Sequence, residues 1–476
     1  MNNFKSWFID NRNGVILSII TCFLYVLPII LVGHIYIDDH TRTTRLFLWS
    51  QDARYAVNFI FDTLSLGSGQ LDYFPFTNIF GAILIGMSGV ALCFIFNISG
   101  TTGILLIATA IISSPFLVSN LTYRFDSITM GLSILTATTP YIYVNRPKVF
   151  SLLSVILLII TAMLYQPSMA IYVSIGIAYH SVNYRTFKRF SKNIILMCAL
   201  FLVSSISIII ISRYCGEIER TELFLSSNDP LGALIKNTNG MLSLIKSSAH
   251  GITLYSYFLA IVCFAAGCAA SLKKGVSYAL IQITSLILVF ISTIILNVVL
   301  LAPWFNSRTM IAFPLLISFC FLVFIKNINV KRTAALPIVA VMLTSTLLFT
   351  SVFANSLSAQ DRINKIYLSK ILSVTNEETT KIAIYGKQPL SRELVRASSV
   401  YPLLENLVPN YMIQGSGWAQ AYIGMMTSKF QMISMNEQNS IISESCSVKK
   451  WERGHMFFYK NYKEYLIISF NGNNCR

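Results

Sequence analysis

Apolar residues run along this chain in blocks of spanning length, separated by short polar or basic segments. The pattern predicts helices near 14–33, 77–97, 101–119, 128–144, 149–164, 168–182, 193–212, 252–272, 276–301, 309–325 and 334–353. A helix rises about 1.5 Å per residue, so roughly 20 apolar residues cross the ~30 Å hydrocarbon layer of a bilayer. The runs 149–164 and 168–182 are short, and the polar break Tyr165-Gln166-Pro167 between them also fits a re-entrant pair. The expected number of spans is therefore about 9–11. The first run follows Lys5 and Arg12 as the core of a signal peptide does. No small-x-small site follows it in Gly33-His34-Ile35-Tyr36, so it is read as a retained helix.

After residue 354 the pattern changes. Ile363, Ile366, Tyr367 and Ile371 recur at helical spacing over 355–373, Lys381–Tyr385 reads as a strand stopped by Gly386, and 391–408 is helical again. Met456–Tyr459 and Tyr465–Phe470 read as two strands joined through Lys460-Asn461-Tyr462. No heptad, solenoid period or low-complexity tract appears. The expectation is a mainly α, polytopic transmembrane helical bundle over 1–353, with outer loops 34–76 and 213–251, followed by a small α/β domain over 354–476.

Composition agrees with the pattern: 54% of residues are apolar, mean hydropathy is +0.63 and 12% are charged, where soluble domains carry about 25%. The formal charge of +16 raises the question of nucleic acid. Its cations are scattered through short loops, which orientation in a membrane explains and a nucleic-acid surface does not. Lys5, Arg12, Arg146, Lys148, Arg185, Lys188, Arg189, Lys273, Lys274 and Lys326 fall on one side, while Asp38, Asp39, Asp52, Asp62, Asp72, Asp126 and Asp229 fall on the other. The positive-inside rule then sets the N-terminus in the cytoplasm and the C-terminus outside it. Six of the nine cysteines lie in apolar runs as small hydrophobes; Cys446 and Cys475 stand in the polar tail and can pair in an oxidising compartment.

Candidate chemistry gathers in the outer loops. Asp38-Asp39 follows the first helix closely and reads either as a solvated loop or helix cap, or as a working carboxylate beside a structural one. The loop continues with Arg42, Arg45, Trp49, Asp52 and Arg54 among aromatics, a mixture suited to stacking on sugars and bonding their hydroxyls. Tyr123-Arg124-Phe125-Asp126 puts an arginine and an acid in a very short connector, as an ion pair within the loop or as part of a site. Tyr165-Gln166-Pro167 is a turn or a polar contribution to the same level, and Trp304 with Arg308 is a membrane-interface anchor or a phosphate contact. There is no Walker loop, no strand-borne Gly-x-Gly-x-x-Gly and no zinc spacing of Cys or His, so no cofactor is expected; Asp38 and Asp39 alone suit a divalent cation, without further support.

Taken in order, Tyr36-Ile37-Asp38-Asp39-x-x-Arg42, Trp49, Asp52-Ala53-Arg54, Asp72-x-x-Pro75, Asn120-x-x-Tyr123-Arg124-Phe125-Asp126-Ser127-x-x-Met130 and Tyr165-Gln166 resemble the prophage-type, serotype-converting O-antigen glucosyltransferases of enteric bacteria. That family usually has Gly at the position of Ala53, a change an exposed loop absorbs. The resemblance implies a GT-C-type enzyme of the bacterial inner membrane. It would take glucose from undecaprenyl-phosphate-glucose and add it to lipid-linked O-antigen on the periplasmic side, alongside a flippase and a donor-synthesising enzyme of the same pathway. It further implies an inverting transfer with Asp38 or Asp39 as general base. Arg54, Arg124 and Arg308 would contact the donor phosphate, and Arg42, Trp49, Asp52, Tyr123, Asp126, Tyr165, Gln166 and Trp304 would line the substrates. Two alternatives stay open: a GT-C transferase using another lipid-phosphate sugar, and a flippase or transporter of lipid-linked sugars. The nearly uncharged spans, without visible internal repeats, favour the enzyme over the transporter.

Overall fold

A computed structural model describes residues 4–44, 46–215, 222–328, 332–427, 429–431, 433–446 and 450–472, with backbone alone at 332–334 and 446. The chain forms two compact units: Met1–Leu31 with Leu48–Ser68 and Tyr73–Ser351, and Val32–Phe47 with Gly69–Asp72 and Val352–Arg476. The loop expected over 34–76 therefore supplies residues to both, and the second boundary falls inside one long helix, Arg332–Leu372.

Eight segments of the described chain are long and apolar enough to cross a membrane: Arg12–Val32, Phe76–Ile95, Pro147–Asn183, Phe187–Cys215, Thr253–Lys274, Val276–Val298, Ser307–Asn327 and Ala335–Leu372. Pro147–Asn183 is not a single rod. The Tyr172 hydroxyl lies 3.0 Å from Ser154 Oγ, 18 residues away, whereas a continuous helix would separate them by roughly 27 Å. The chain folds back at Gln166–Ser168, where Pro167 removes a backbone donor, and Pro147–Tyr165 and Met169–Asn183 form a helical hairpin.

Two other expected spans are cut short, each at a proline. The run 101–119 gives Thr101–Ile112, a break at Ser113-Ser114-Pro115, and then Leu117–Thr122. The run 128–144 is α-helical over Ser127–Thr138 and tightens into a 3-10 turn over Thr139–Tyr143, which contains Pro140. All the predicted runs are thus helical, but several are broken or bent short of spanning length.

Small residues set the closest packing. A Cβ on Gly81 would sit 2.6 Å from the Ser127 carbonyl oxygen, and one on Gly131 2.6 Å from that of Gly81. Helices Phe76–Ile95 and Ser127–Thr138 therefore meet backbone to backbone. Many hydroxyls inside the apolar helices bond back to their own turn, as Ser18 does to the Gly14 carbonyl at 2.8 Å, or across helices, as Ser174 does with Ser292 at 2.8 Å. Such bonds are required where lipid offers no partner. Leu202, Val203, Ile206, Ile209 and Ile210 are exposed on Phe187–Cys215, a face suited to lipid.

The second unit is built on a four-stranded sheet of β1 (Lys381–Tyr385), β2 (Glu452–Arg453), β3 (Phe458–Tyr462) and β4 (Tyr465–Ser469), in the order β1-β4-β3-β2. β1 and β4 run parallel with Ile382 opposite Leu466, and the other pairs are antiparallel. One face packs Ile382, Ile384, Leu466 and Ile468 on Leu368 and Ile371 of the long helix; the other packs Ala383 and Ile467 on Ile441 and Ile442. Covered on both faces, β4 reads as a nearly continuous apolar run. Lys460-Asn461-Tyr462, expected as the connection, belongs to β3, and the turn is Lys463-Glu464. Lys460 misleads because it is buried, its ammonium 4.1 Å from the Trp451 ring centre and 2.8 Å from the Ser445 carbonyl oxygen.

Candidate functional site

In the first unit, the predicted residues of four separate segments meet around a buried ion pair. Arg54 Nη2 lies 2.6 Å from Asp126 Oδ1, the two side chains 5% and 0% exposed. The same oxygen accepts the Trp49 indole N–H at 2.8 Å, and Arg54 Nε donates to the Leu164 carbonyl at 2.7 Å. Trp49 sits in an apolar cluster with Val57, Phe61, Phe125 and Leu164, so the pair is assembled in a dry setting. Charges are tolerated there only when each is matched by donors and acceptors. Asp126 thus takes its partner from the first loop. With two strong donors on one oxygen, it is better suited to holding Arg54 and Trp49 than to taking a proton.

The ion pair continues into an aromatic and arginine face. The Arg54 guanidinium lies 5.3 Å from the Tyr165 ring centre, and the Tyr165 hydroxyl donates to the Arg308 carbonyl at 2.9 Å. Asn120 Nδ2 donates to that carbonyl as well, at 3.1 Å. The Arg308 guanidinium is only half-buried and packs over Tyr123 at 5.1 Å and Trp304 at 4.9 Å. Arg308 is therefore fixed at its backbone and braced at its head, which preorganises it for an anion. Arg124 lies over Phe74 at 4.3 Å. Asp52 is exposed; its backbone carbonyl accepts from Gln166 Nε2, so the turn at Gln166 lies against the first loop.

The backbone at Ala53 departs from expectation. It is 3% exposed, not part of an exposed loop, and it holds a left-handed conformation with φ +56°. That conformation explains why a glycine suits the position.

Asp38, Asp39 and Arg42 belong to the second unit. Asp39 opens the short helix Asp39–Thr44 and is 0% exposed, which rules out a solvated loop. Asp38 is half-buried; its backbone carbonyl accepts the Thr41 and Arg42 N–H groups, and its Oδ1 accepts the Trp418 indole N–H at 3.2 Å. Arg42 is 5% exposed and lies 5.5 Å from the Phe47 ring centre. Ile37 just before the acids is left-handed at φ +48°, an outlier for a β-branched residue. Its N–H donates to the Tyr411 hydroxyl at 3.1 Å. Tyr411 stacks on Tyr422, and His40 meets both rings edge-on at 4.7 and 5.1 Å. Burial pushes both phenols well above their ordinary range, so they stay neutral at pH 7.

These supports were missed in the sequence. His34 and His40 flank the acids, and His34 Nδ1 lies 3.6 Å from Asp361, but their partners are hundreds of residues away and no local pattern announces them. Thr129, whose hydroxyl donates to the Asp126 carbonyl at 2.9 Å, was missed likewise. Among the described residues no three His, Cys, Asp or Glu side chains gather as a metal site requires. The expected Cys446–Cys475 pair and Arg45 lie outside the described side chains.

A family model described as glucosyl transferase GtrII matches residues 27–325. An uncharacterized 55.3 kDa protein in the gtrB 5′ region of Salmonella phage P22 is 27% identical over 153 residues, and the aligned stretch spans 31% of this chain and 31% of that protein. No solved structure matches the chain.

Proposed function

From membership of the glucosyl transferase GtrII family, to which this chain belongs, we propose that it transfers glucose from undecaprenyl-phosphate-glucose to a sugar of the lipid-linked O-antigen repeat. The site of transfer is the periplasmic face of the bacterial inner membrane, with the N-terminus in the cytoplasm, the C-terminus in the periplasm and the α/β domain over 354–476. The observation that carries the donor assignment is Arg308, half-buried between Tyr123 and Trp304 with its carbonyl held by Tyr165 and Asn120. A guanidinium among aromatic faces binds a phosphate and stacks a sugar, while the apolar helices suit a polyprenyl chain. Arg124 supports the same phosphate; Arg54, buried against Asp126, holds that acid instead, and Trp49, Asp52, Asp126 and Gln166 shape the surroundings, while Arg42 belongs with Asp38 and Asp39 in the second unit.

The acid of Asp38-Asp39 that faces the acceptor hydroxyl takes its proton as the oxygen attacks the anomeric carbon. The sugar–phosphate bond breaks, the configuration inverts and the lipid phosphate leaves. A flippase and a donor-synthesising enzyme supply the lipid-linked sugar. Cells expressing the protein should carry lipopolysaccharide heavier by one hexose, and sugar analysis should identify it as glucose. Another sugar would mean a GT-C transferase with a different lipid-phosphate donor. Movement of lipid-linked glucose across vesicles, without transfer to any acceptor, would make the protein a transporter.

A further inference from the structure

The helices that carry the Arg54–Asp126 cluster have a second set of ends. Phe76–Ile95 spans 20 residues, so its ends lie roughly 30 Å apart, about one hydrocarbon layer. The far end of Phe76–Ile95, the turn Thr139–Tyr143, the connector 144–146 that leads into Pro147–Tyr165, and Tyr179 of Met169–Asn183 surround a cavity of about 540 Å³ lined by Phe4, Phe94, Tyr141, Tyr179, Asn97 and Arg146, among others.

The lining names its ligand class. The walls are aromatic and aliphatic, with tyrosines at the level where amphipathic rings favour a membrane boundary. Arg146 and Asn97 are the cationic and amide residues of the lining, and among the described residues no acid lines the cavity. Lys148 follows in the next helix, and Arg185, Lys188 and Arg189 follow Asn183, so the same helix ends are strongly positive. One wall is pinned in place: Trp7 Nε1 donates to the Ile98 carbonyl at 3.2 Å, Asn11 Oδ1 accepts the Gly100 N–H at 2.8 Å, and Phe4 meets Phe94 edge-on at 4.9 Å. Arg146 and Asn97 can donate to a phosphodiester, and the aromatic and aliphatic lining suits glycerol and the first acyl carbons. We infer that this cavity binds the anionic headgroup of a glycerophospholipid, at the membrane boundary opposite the transfer site, with the phosphate at Arg146.

The test is native mass spectrometry of the full chain in detergent, titrated with phosphatidylglycerol and, separately, with phosphatidylcholine. Phosphatidylglycerol should bind about tenfold more tightly. Arg146→Glu should lose about that factor and Arg146→Lys should keep most of it, while Lys188→Glu, outside the lining, should change binding less than about twofold. Gel filtration of each variant reports folding, and the lysine variant keeps the test decisive if the glutamate variant misfolds. Equal binding of the two lipids, or equal loss in Arg146→Glu and Lys188→Glu, would overturn the site in favour of diffuse charge. Displacement by glycerol phosphate or inorganic phosphate as effective as by lipid would make it a plain anion site, and tighter binding of a polyprenyl phosphate would assign it to the carrier lipid. Both outcomes reject the proposal. None of these readings involves glucosyl transfer, so the inference stands or falls apart from the proposed function.

Discussion

Ala53 and the Arg54–Asp126 pair beside it make the residue scale testable. A left-handed alanine costs roughly 1–2 kcal/mol, and glycine returns about 0.5–1 kcal/mol of that through the greater entropy of its unfolded chain. Ala53→Gly should therefore raise apparent thermal stability by about 0.5–1 kcal/mol, against the usual direction of such a change. A clear loss in a thermal-shift assay would mean that the strain is not there. For the ion pair, Asp126→Ala leaves Arg54 charged in a dry cluster and should cost about 3–5 kcal/mol, while an Arg54→Met, Asp126→Leu double variant should recover most of it. Equal losses in the single and double variants would contradict the pairing. Arginines, acids and aromatics of the site were legible because they interrupt apolar runs. Their pairing was not, because Asp126 bonds to residues of the first loop and Asp38 to Trp418 near the far end of the chain.

Among the elements, hydropathy foretold where helices form, since burial in lipid or protein demands long apolar runs. The polar break at Tyr165-Gln166-Pro167 foretold the fold-back there as one of two readings, but hydropathy did not foretell the breaks at Pro115 and Pro140. The backbone contact between Phe76–Ile95 and Ser127–Thr138 predicts that Gly81→Ala lowers apparent stability by about 1–3 kcal/mol. Gly424→Ala, where a Cβ meets nothing within 4 Å, should be neutral or mildly stabilising in the same assay. In the sheet, Glu437 accepts from the Tyr465 hydroxyl at 2.6 Å and from Lys381 at 3.1 Å, and these bonds hold its carboxyl below the usual range. A depressed carboxylate contributes stability above its unfolded value, here 4.5, and loses it as pH falls through the folded value. Hydrogen-exchange protection of β1, corrected for intrinsic rates, should therefore fall below about pH 4.5, and Glu437→Gln should shrink that step, the remainder belonging to Glu464, which pairs with the same lysine at 2.9 Å. A pH-independent wild type would show that the contact contributes nothing.

At the scale of the molecule, a bundle of apolar helices and a small α/β unit divide the first loop between them, a division that no local pattern in residues 34–76 announces. The family is one of glucosyl transferases, the reaction proposed for this chain, and the residues gathered in each unit are candidates for its parts. The most direct measurement is the single-turnover rate of transfer from a synthetic polyprenyl-phosphate-glucose to lipid-linked O-antigen by purified wild-type, Asp38→Asn, Asp39→Asn and Arg308→Ala proteins of equal thermal stability. We expect one of the two asparagine variants to lose about 10²–10⁴-fold in rate, as removal of a general base does, and Arg308→Ala to lose donor binding. Full transfer by both asparagine variants would contradict the central claim that this acidic pair carries the chemistry.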